Sequence, residues 1–225
     1  MRLATTMLLA ASALCLATPS AADPCPSNAV CIRDVECDTT TAVSAGLSRY
    51  FDGGVSAETG YDWYVRECRA MTQHPFYSTP IEGTVEASED FFVVGLPPGT
   101  PLTIHARAHV VASASWTGYY TPLIRARGWL EEAGAGHVEA VAVASYEEPL
   151  VSVDEILALD LPNLAGQPFR LSMGVESESR EGGSMATVTL SFENLPPGAQ
   201  VYSCHVGPPV PARPASWGGL KLRYR

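Results

Sequence analysis

Regular alternation of apolar and polar residues is the feature that most constrains how this chain can fold. In residues 169–176, Phe, Leu, Met and Val occupy every second position, and residues 186–193 repeat the pattern with Ala, Val, Leu and Phe. A period of two is typical of a β-strand that buries one face. Because Gly182 and Gly183 lie between the two segments, we predict that they form a β-hairpin.

Further strands are predicted along most of the chain, and no segment has a convincing helical period. Residues 102–110 alternate in the same way, whereas residues 138–144 are apolar on both faces and suit a central strand. The only candidate helix, residues 153–161, alternates better than it follows a helical period. The chain is therefore predicted to be all-β. Weaker strand predictions cover residues 41–50, 61–70, 83–88, 90–96, 124–131, 156–161 and 200–206.

A four-residue corner occurs twice, at residues 96–99 and 195–198, each time as Leu-Pro-Pro-Gly. In each copy the second Pro presets φ for the second position of a type II turn. The Gly then supplies the positive φ that the third position requires. We therefore predict two rigid corners, each lying between two strands.

These corners resemble the one between strands E and F of fibronectin type III and related immunoglobulin-like sandwiches. Residues 90–206 also resemble uncharacterised exported bacterial β-sandwich proteins. Those have a Gly-x-Pro-Phe strand, here at 166–169, a Gly-rich turn, and a Leu-Pro-Pro-Gly corner before Ser203 and Cys204. Leu102 stands near the position of the corner tyrosine of fibronectin modules. The resemblance implies an antiparallel sandwich and brings no settled activity with it.

The spacing of the corners raises the question of one domain or two. Beyond residue 206 the sequence Gly-Pro-Pro-Val-Pro cannot continue a sheet, since proline has no N–H to donate. A second module would be incomplete, and we predict a single antiparallel β-sandwich over residues 38–206, of jelly-roll or immunoglobulin/fibronectin-like type. We expect a disulfide to clasp the cysteine-rich segment 23–37 to it. Residues 207–225 are expected to form a Pro-rich, basic tail outside the sheets.

Residues 1–22 have the layout of a cleavable secretory signal. Arg2 precedes an apolar run at residues 7–17, and Ser-Ala-Ala stands before Asp23. The run is too short for a membrane span of roughly 20 residues, and no later stretch is long enough. We expect a mature chain that is secreted, periplasmic or at the cell surface, without a transmembrane segment.

Five cysteines follow the signal, and export permits disulfides between them. We predict at least one disulfide among Cys25, Cys31, Cys37 and Cys68, with the connectivity open. Cys204 is predicted to be a free, buried thiol on the inner face of a strand. The five-residue gaps between the first three cysteines and the lack of a nearby His disfavour a zinc site.

Charge is distributed unevenly along the chain. The sequence has 24 acidic and 14 basic residues, for a net charge of −10 at pH 7. All the acidic residues lie between residues 23 and 207, whereas the last 18 residues contain four basic ones and no acid. An acidic body repels phosphate backbones, so we predict no binding of nucleic acid. The basic tail is either a dangling end or a weak contact with an anionic envelope.

Catalytic motifs are missing from the sequence. It contains no Gly-x-Ser-x-Gly elbow, no His-Glu-x-x-His, and no calcium or phosphate loop. His105 and His109 fall on the same strand face, yet at roughly 13 Å apart they are too far from each other to share one ion. Cys204 and His205 are adjacent in a predicted strand and so point to opposite faces, which disfavours a nucleophile and base pair. We predict no catalytic residue, no metal and no cofactor.

Aromatic residues offer the one functional alternative. Trp116, Tyr119 and Tyr120 lie in a predicted long loop, where exposed rings would stack on sugars as in a carbohydrate-binding module. The other interpretation is that these rings hold the loop against the fold and that Trp63 belongs to the core.

The sequence thus favours a non-enzymatic, exported β-sandwich domain with a structural or interaction role at the cell envelope or outside the cell. Its expected partner is a glycan or an envelope protein. The alternatives are a carbohydrate-binding module that uses the loop aromatics, and a hydrolase without a recognisable motif.

Overall fold

The computed structural model describes residues 25–33, 35–42, 44–51, 54–74, 80–117, 124–132 and 136–205. These residues form β-strands and no α-helix. The strands, in chain order, are β1 (Asn28–Ile32), β2 (Glu36–Thr40), β3 (Ser44–Phe51), β4 (Val55–Asp62), β5 (Glu67–His74), β6 (Ile81–Val94), β7 (Pro101–Trp116), β8 (Ile124–Glu132), β9 (Gly136–Ala144), β10 (Leu150–Leu164), β11 (Pro168–Ser179), β12 (Gly182–Glu193) and β13 (Gln200–Ser203).

Two sheets are packed face to face. The first has the strand order β2-β1-β6-β11-β8-β9, with β13 also pairing with β6, and the second has the order β10-β7-β12-β5-β4-β3. Every strand pair is antiparallel. The prediction of an all-β, antiparallel sandwich is confirmed.

The core lies between the sheets and follows the alternation seen in the sequence. In β7 each inward residue from Ile104 to Ala114 is fully buried, and small alanines there let the sheets approach closely. Larger rings fill one end of the core, where Phe91 packs edge-on against Trp63 at 6.0 Å and against Phe192 at 5.1 Å. Burial of each large apolar side chain contributes roughly 1.5–3 kcal/mol.

The predicted hairpin between β11 and β12 is wrong. β11 pairs with β6 and β8 in the first sheet, whereas β12 pairs with β5 and β7 in the second. The connection therefore passes from the first sheet to the second. Gly182 has a φ of 143°, and a Cβ there would overlap the carbonyl oxygen of Ser115. The glycine serves this close approach, and alternation alone did not reveal which partner each strand takes.

One predicted strand, at residues 61–70, is interrupted by a turn at residues 63–66 that separates β4 from β5. Trp63 lies in this turn and is 1% exposed. Conversely, the segments predicted at 83–88 and 90–96 fall in the single strand β6, which ends at Val94.

Both corners are type II turns, as predicted. The amide of Thr100 donates to the carbonyl of Pro97 at 3.1 Å, and that of Ala199 donates to Pro196 at 2.9 Å. The turn glycines have φ values of 79° and 83°. The first corner leads from β6 to β7 and the second from β12 to β13, so each one carries the chain from one sheet to the other.

Two disulfides are formed among the described residues, and one of them contradicts the sequence prediction. Cys31 and Cys37 join the paired strands β1 and β2, while Cys25 is bonded to Cys204, 179 positions away. Cys204, expected to be free, follows the last strand, and its amide donates to the carbonyl of Asp90 in β6. This contact lies where the N-terminal segment meets the first sheet, which explains the bond.

Cys68 is the free thiol among the described residues, although the sequence made it a disulfide candidate. It lies on the inner face of β5, is fully buried, and contacts the carbonyl of Met173 at 3.9 Å. Burial raises the pKa of the Cys68 thiol far above its ordinary value. Within the part of the chain that the structure describes, no second cysteine is bonded to it.

The first sheet takes in part of the segment that the sequence placed outside the sandwich. β1 pairs with β6 over four residues, and the clasp at Cys25 adds a covalent link. The boundary expected at residue 38 therefore does not separate the cysteine-rich segment from the sheets. The predicted signal at residues 1–22 and the tail at 207–225 lie outside the described residues. In the described part of the chain, no helix is long and apolar enough to cross a membrane.

Candidate binding site

The loop aromatics proposed from the sequence are only partly within the structure. Trp116 is the last residue of β7, is half-buried and packs against the core. Its ring meets that of Tyr146 edge-on, at 5.5 Å between centroids. Tyr119 and Tyr120 lie outside the described residues. Of the three rings, the structure therefore describes that of Trp116, which it places at the end of the core.

A different tryptophan lies on an outer sheet face. Trp129 is in β8, where Ala126 and Leu130 point inward and are fully buried. The Trp129 side chain points outward and crosses the neighbouring strand at Gly174, its partner in register. A methyl group at position 174 would overlap the indole ring at Cζ2, Cε2 and Cη2. The ring therefore lies directly on the glycine backbone, with part of its surface exposed.

An ion-pair network lies next to this ring and places a guanidinium over it. The carboxylate of Glu176 is 6% exposed and accepts hydrogen bonds from Arg125 and from Arg127, whose Nε is 2.8 Å from Oε2. The Arg127 guanidinium also lies 5.0 Å from the centroid of the Trp129 ring. Because two charged hydrogen bonds fix Arg127, its cation–π contact fixes the ring. We call Trp129, Gly174, Arg127 and Glu176 the Trp129 platform.

Polar side chains surround the platform on the same face. Glu139 of β9 is opposite Trp129 in register and lies 3.5 Å from Nη1 of Arg127. Glu86 of β6 is opposite Gly174, is exposed, and has no ion-pair partner among the described residues. Ser88 and Ser172 share a hydrogen bond of 2.7 Å between their hydroxyls. The arrangement offers the exposed part of an indole ring within a rim of acceptors and hydroxyls.

Sequence reasoning missed Trp129, although a signal was available. In residues 124–131 the inward phase is Ile, Ala, Gly and Leu, and the outward phase is Arg, Arg, Trp and Glu. A tryptophan in the polar phase of a strand is a large apolar ring on a solvated face. In β11, Gly174 likewise occupies an outward position, and it has no side chain there.

Histidines and carboxylates occupy the outer face of the second sheet. His105 and Arg107 both bind Asp160, at 3.0 and 2.8 Å, and His109 binds Asp154 at 2.7 Å. Hydrogen bonds from Arg107 and then from His105 lower the pKa of Asp160. His105 and His109 thus have separate partners, and in the described ranges no three His, Cys, Asp or Glu side chains come together to hold a metal.

A groove also lies on the second sheet. It has a volume of about 470 Å³ and passes over Gly46 and Gly60, between Asp62, Glu67 and Arg69. Asp62 is already engaged, since its Oδ1 accepts the amide of Tyr64, and Arg69 is paired with Glu58 at 2.9 Å. Tyr61 also lines this groove, but its hydroxyl donates to the carbonyl of Ala42 at 2.9 Å. The groove is remote from the Trp129 platform, which is on the opposite face of the sandwich.

A buried, hydrogen-bonded pair, Glu89 and His205, lies next to the long-range disulfide. Glu89 of β6 faces the core, is fully buried, and accepts hydrogen bonds from the backbone amide and from Nδ1 of His205. The neighbouring Cys204 is in a disulfide, so its sulfur is not a thiolate nucleophile. The carboxylate and imidazole hold the end of β13 against β6.

Comparison with known proteins adds little. No protein-family model and no curated protein sequence matches this chain. One similar solved structure is TmCBM61 in complex with β-1,4-galactotriose, with a TM-score of 0.28, 8% identity, and coverage of 78% of this chain and 87% of that one. Another is the enzymatically active domain of bacteriophage CBA120 tailspike protein 4, with a TM-score of 0.23, 12% identity, and coverage of 67% and 19%. The chain spans less than a fifth of that tailspike domain, and likenesses this weak do not extend to ligands or activity.

Proposed function

We propose that this chain is an exported, non-catalytic binding domain that takes a neutral glycan on the Trp129 platform. The observation that carries the proposal is the position of the partly exposed Trp129 ring, which lies on Gly174 and has the Arg127 guanidinium over it, 5.0 Å from its centroid. A flat aromatic surface on an open sheet face is suited to the apolar face of a sugar ring. The two disulfides are typical of an exported chain.

The platform is preorganised, which favours binding. Glu176 fixes Arg127 through a nearly buried ion pair, and Gly174 leaves space for the ring to lie on the strand backbone. A ligand therefore meets a ring that loses little conformational freedom on contact, and the cost of association falls. Hydroxyl groups of the sugar find hydrogen-bond partners in the rim, in the exposed carboxylates of Glu86 and Glu139.

Charge determines the class of glycan. The rim carboxylates are acidic and the whole chain has a net charge of −10. Sulfated or uronic-acid chains would meet like charge at the platform, with little compensation, since Arg125 and Arg127 are already paired with Glu176. A neutral polysaccharide carries no such penalty.

Affinity gel electrophoresis tests the proposal. The full-length, oxidised protein is run through gels that contain hydroxyethylcellulose, β-1,4-galactan or galactomannan, against gels without polysaccharide. We expect at least one of these neutral glycans to retard the protein. Trp129→Leu, which keeps an apolar cover over Gly174 but no flat ring, is expected to remove most of this retardation.

Trp116→Leu is the matched control, because it removes a tryptophan at the end of the sandwich and leaves the platform intact. Thermal unfolding of both variants shows that each one is folded. If Trp116→Leu abolishes retardation and Trp129→Leu does not, the binding site is at the loop end and the platform proposal is wrong. If no neutral glycan retards the wild-type protein, the proposal of a neutral-glycan site fails as a whole.

A hydrolase is the remaining alternative. Reducing-sugar release from the same three polysaccharides separates the two possibilities. We expect no release above the background, and turnover of a retained glycan would contradict the non-catalytic role.

A further inference from the structure

We propose that the glycan site is elongated and binds a linear chain of several sugar units, from the Trp129 platform to a second aromatic surface at Phe92 and Tyr202. This inference depends on the proposed function and specifies its ligand. It follows from the way β6, β11 and β13 align their outward side chains along the first sheet.

Phe92 and Tyr202 form the second surface. They are opposite each other in the β6–β13 register, and their ring centroids are 6.0 Å apart with a tilt of 38°. Phe92 points outward, since its neighbours Phe91 and Val93 are fully buried in the core. The hydroxyl of Tyr202 donates to Oε1 of Gln200 at 2.6 Å, which restrains the ring.

The two aromatic surfaces are separated along the strand direction. Phe92 is opposite Pro168 in β11, and Glu86 is opposite Gly174, on which Trp129 lies. Six residues of an antiparallel strand span about 20 Å. A single sugar on one surface cannot reach the other, whereas an extended oligosaccharide can.

Two cross-strand polar pairs occupy the space between the surfaces. Ser88 and Ser172 are opposite each other and share a hydrogen bond, and Asp90 accepts two bonds from Arg170, at 2.6 and 2.7 Å. The serines are short, and the bidentate pair is fixed in place, so neither pair needs to be ordered by a ligand. Their hydroxyl, carboxylate and guanidinium groups are hydrogen-bond partners for sugar hydroxyls.

Charge pairing also leaves the outer sheet face between the two aromatic surfaces without net charge. Arg170 is matched by Asp90, and the serines carry no charge, while the acidic Glu86 stands next to the platform. An anionic chain would gain no unpaired cation here. This stretch of the outer sheet face therefore fits an unbranched, neutral sugar chain that keeps one face against the sheet.

Isothermal titration with oligosaccharides of different length tests the inference. The probes are β-1,4-linked gluco-, galacto- and manno-oligosaccharides of two and six units, added to the full-length, oxidised protein. For the sugar that binds, we expect the hexasaccharide to bind at least about tenfold more tightly than the disaccharide, a difference of about 1.4 kcal/mol.

Variants separate the two aromatic surfaces. Tyr202→Leu is expected to reduce the hexasaccharide affinity toward that of the disaccharide and to leave the disaccharide affinity unchanged. Trp129→Leu is expected to reduce both. Tyr50→Leu, at an 80% exposed tyrosine on the edge strand of the second sheet, is the matched control and is expected to change neither.

The outcomes distinguish this inference from the proposed function. Equal affinities for the disaccharide and hexasaccharide, both lowered by Trp129→Leu, would overturn the elongated site and leave the platform as a one- or two-sugar site. A length dependence that Tyr202→Leu does not alter would also overturn it. If none of the six probes binds, both proposals fail.

Discussion

Paired acidic and basic residues occur on both outer faces of the sandwich, but they have different roles on the two faces. On the first sheet, the Glu176 side chain is 6% exposed between two arginines, and the pair supports an aromatic ring. On the second sheet, Asp160 and Asp154 also pair with basic groups, but their side chains are 55% and 77% exposed. Burial therefore separates a charge network that positions a ring from one that remains solvated.

The difference has energetic consequences. Exposed ion pairs contribute roughly 0–1 kcal/mol, because water competes for both partners. Removing one member of a buried pair costs about 3–5 kcal/mol, because the remaining charge stays buried without a partner. We therefore expect the stability of the fold to depend strongly on each residue of the network on the first face. It should depend only weakly on each residue of the network on the second face.

Glu176→Ala should give the largest effect. It leaves Arg125 and Arg127 without their shared carboxylate, and each arginine is about one-third exposed, so water compensates in part. We expect the free energy of unfolding to fall by about 3 kcal/mol in urea denaturation. Asp154→Ala on the second face is the control, with an expected loss under about 1 kcal/mol. Equal losses in the two variants would contradict the contrast between the faces.

Gly174→Ala should give a smaller loss that is specific to the platform. The added methyl overlaps the Trp129 ring, which must move off the sheet. We expect a loss of about 1–3 kcal/mol in stability together with weaker glycan retardation.

The control for Gly174→Ala is Gly183→Ala in β12, where a Cβ would have ordinary contacts at 3.5 and 3.7 Å. This variant is expected to keep wild-type stability and retardation within error. If Gly174→Ala behaves in the same way, the ring does not lie on the glycine as described.

The smallest expected effect is a change in titration on the second face. Arg107 first, and His105 next, lower the pKa of Asp160 from its ordinary 3.8. Since the pKa is lower in the folded state, the carboxylate stabilises the fold above about pH 4, and this contribution is lost as the pH falls through the folded-state pKa.

Arg107→Ala is therefore expected to move the pKa of Asp160 back toward its ordinary value, as measured by NMR of the side-chain carboxyl carbon. Arg69→Ala, at another arginine of the same sheet, should leave it where it is. An unchanged pKa in Arg107→Ala would show that this pair is not formed in solution.

Much of the fold could be predicted from the sequence, because alternation reports which side chains are buried. Residues 169–176 and 186–193 are strands with the predicted faces inward, and the repeated Leu-Pro-Pro-Gly corners have the predicted turn. Alternation does not report which strand lies alongside. Two half-buried strands show the same alternation whether they are neighbours in one sheet or lie in opposite sheets across the core. β11 and β12 lie in opposite sheets.

The cysteines and the candidate site were harder to predict for a related reason. The bond between Cys25 and Cys204 depends on where β13 meets the first sheet, which is a property of the topology and not of local spacing. The platform likewise needs Trp129 and Gly174, 45 positions apart in sequence, to be opposite each other. An outward tryptophan was visible in the sequence, but its glycine partner was not.

A two-dimensional ¹H–¹⁵N NMR titration that follows the indole N–H signals of the tryptophans tests most directly whether the Trp129 platform binds the glycan. Trp129→Phe and Trp116→Phe variants assign the two signals, and soluble β-1,4-linked oligosaccharides are the titrant. We expect the Trp129 signal to shift in a saturable manner while the Trp116 signal stays in place. A saturable shift of the Trp116 signal with a stationary Trp129 signal would contradict the proposal that the Trp129 platform is the glycan site.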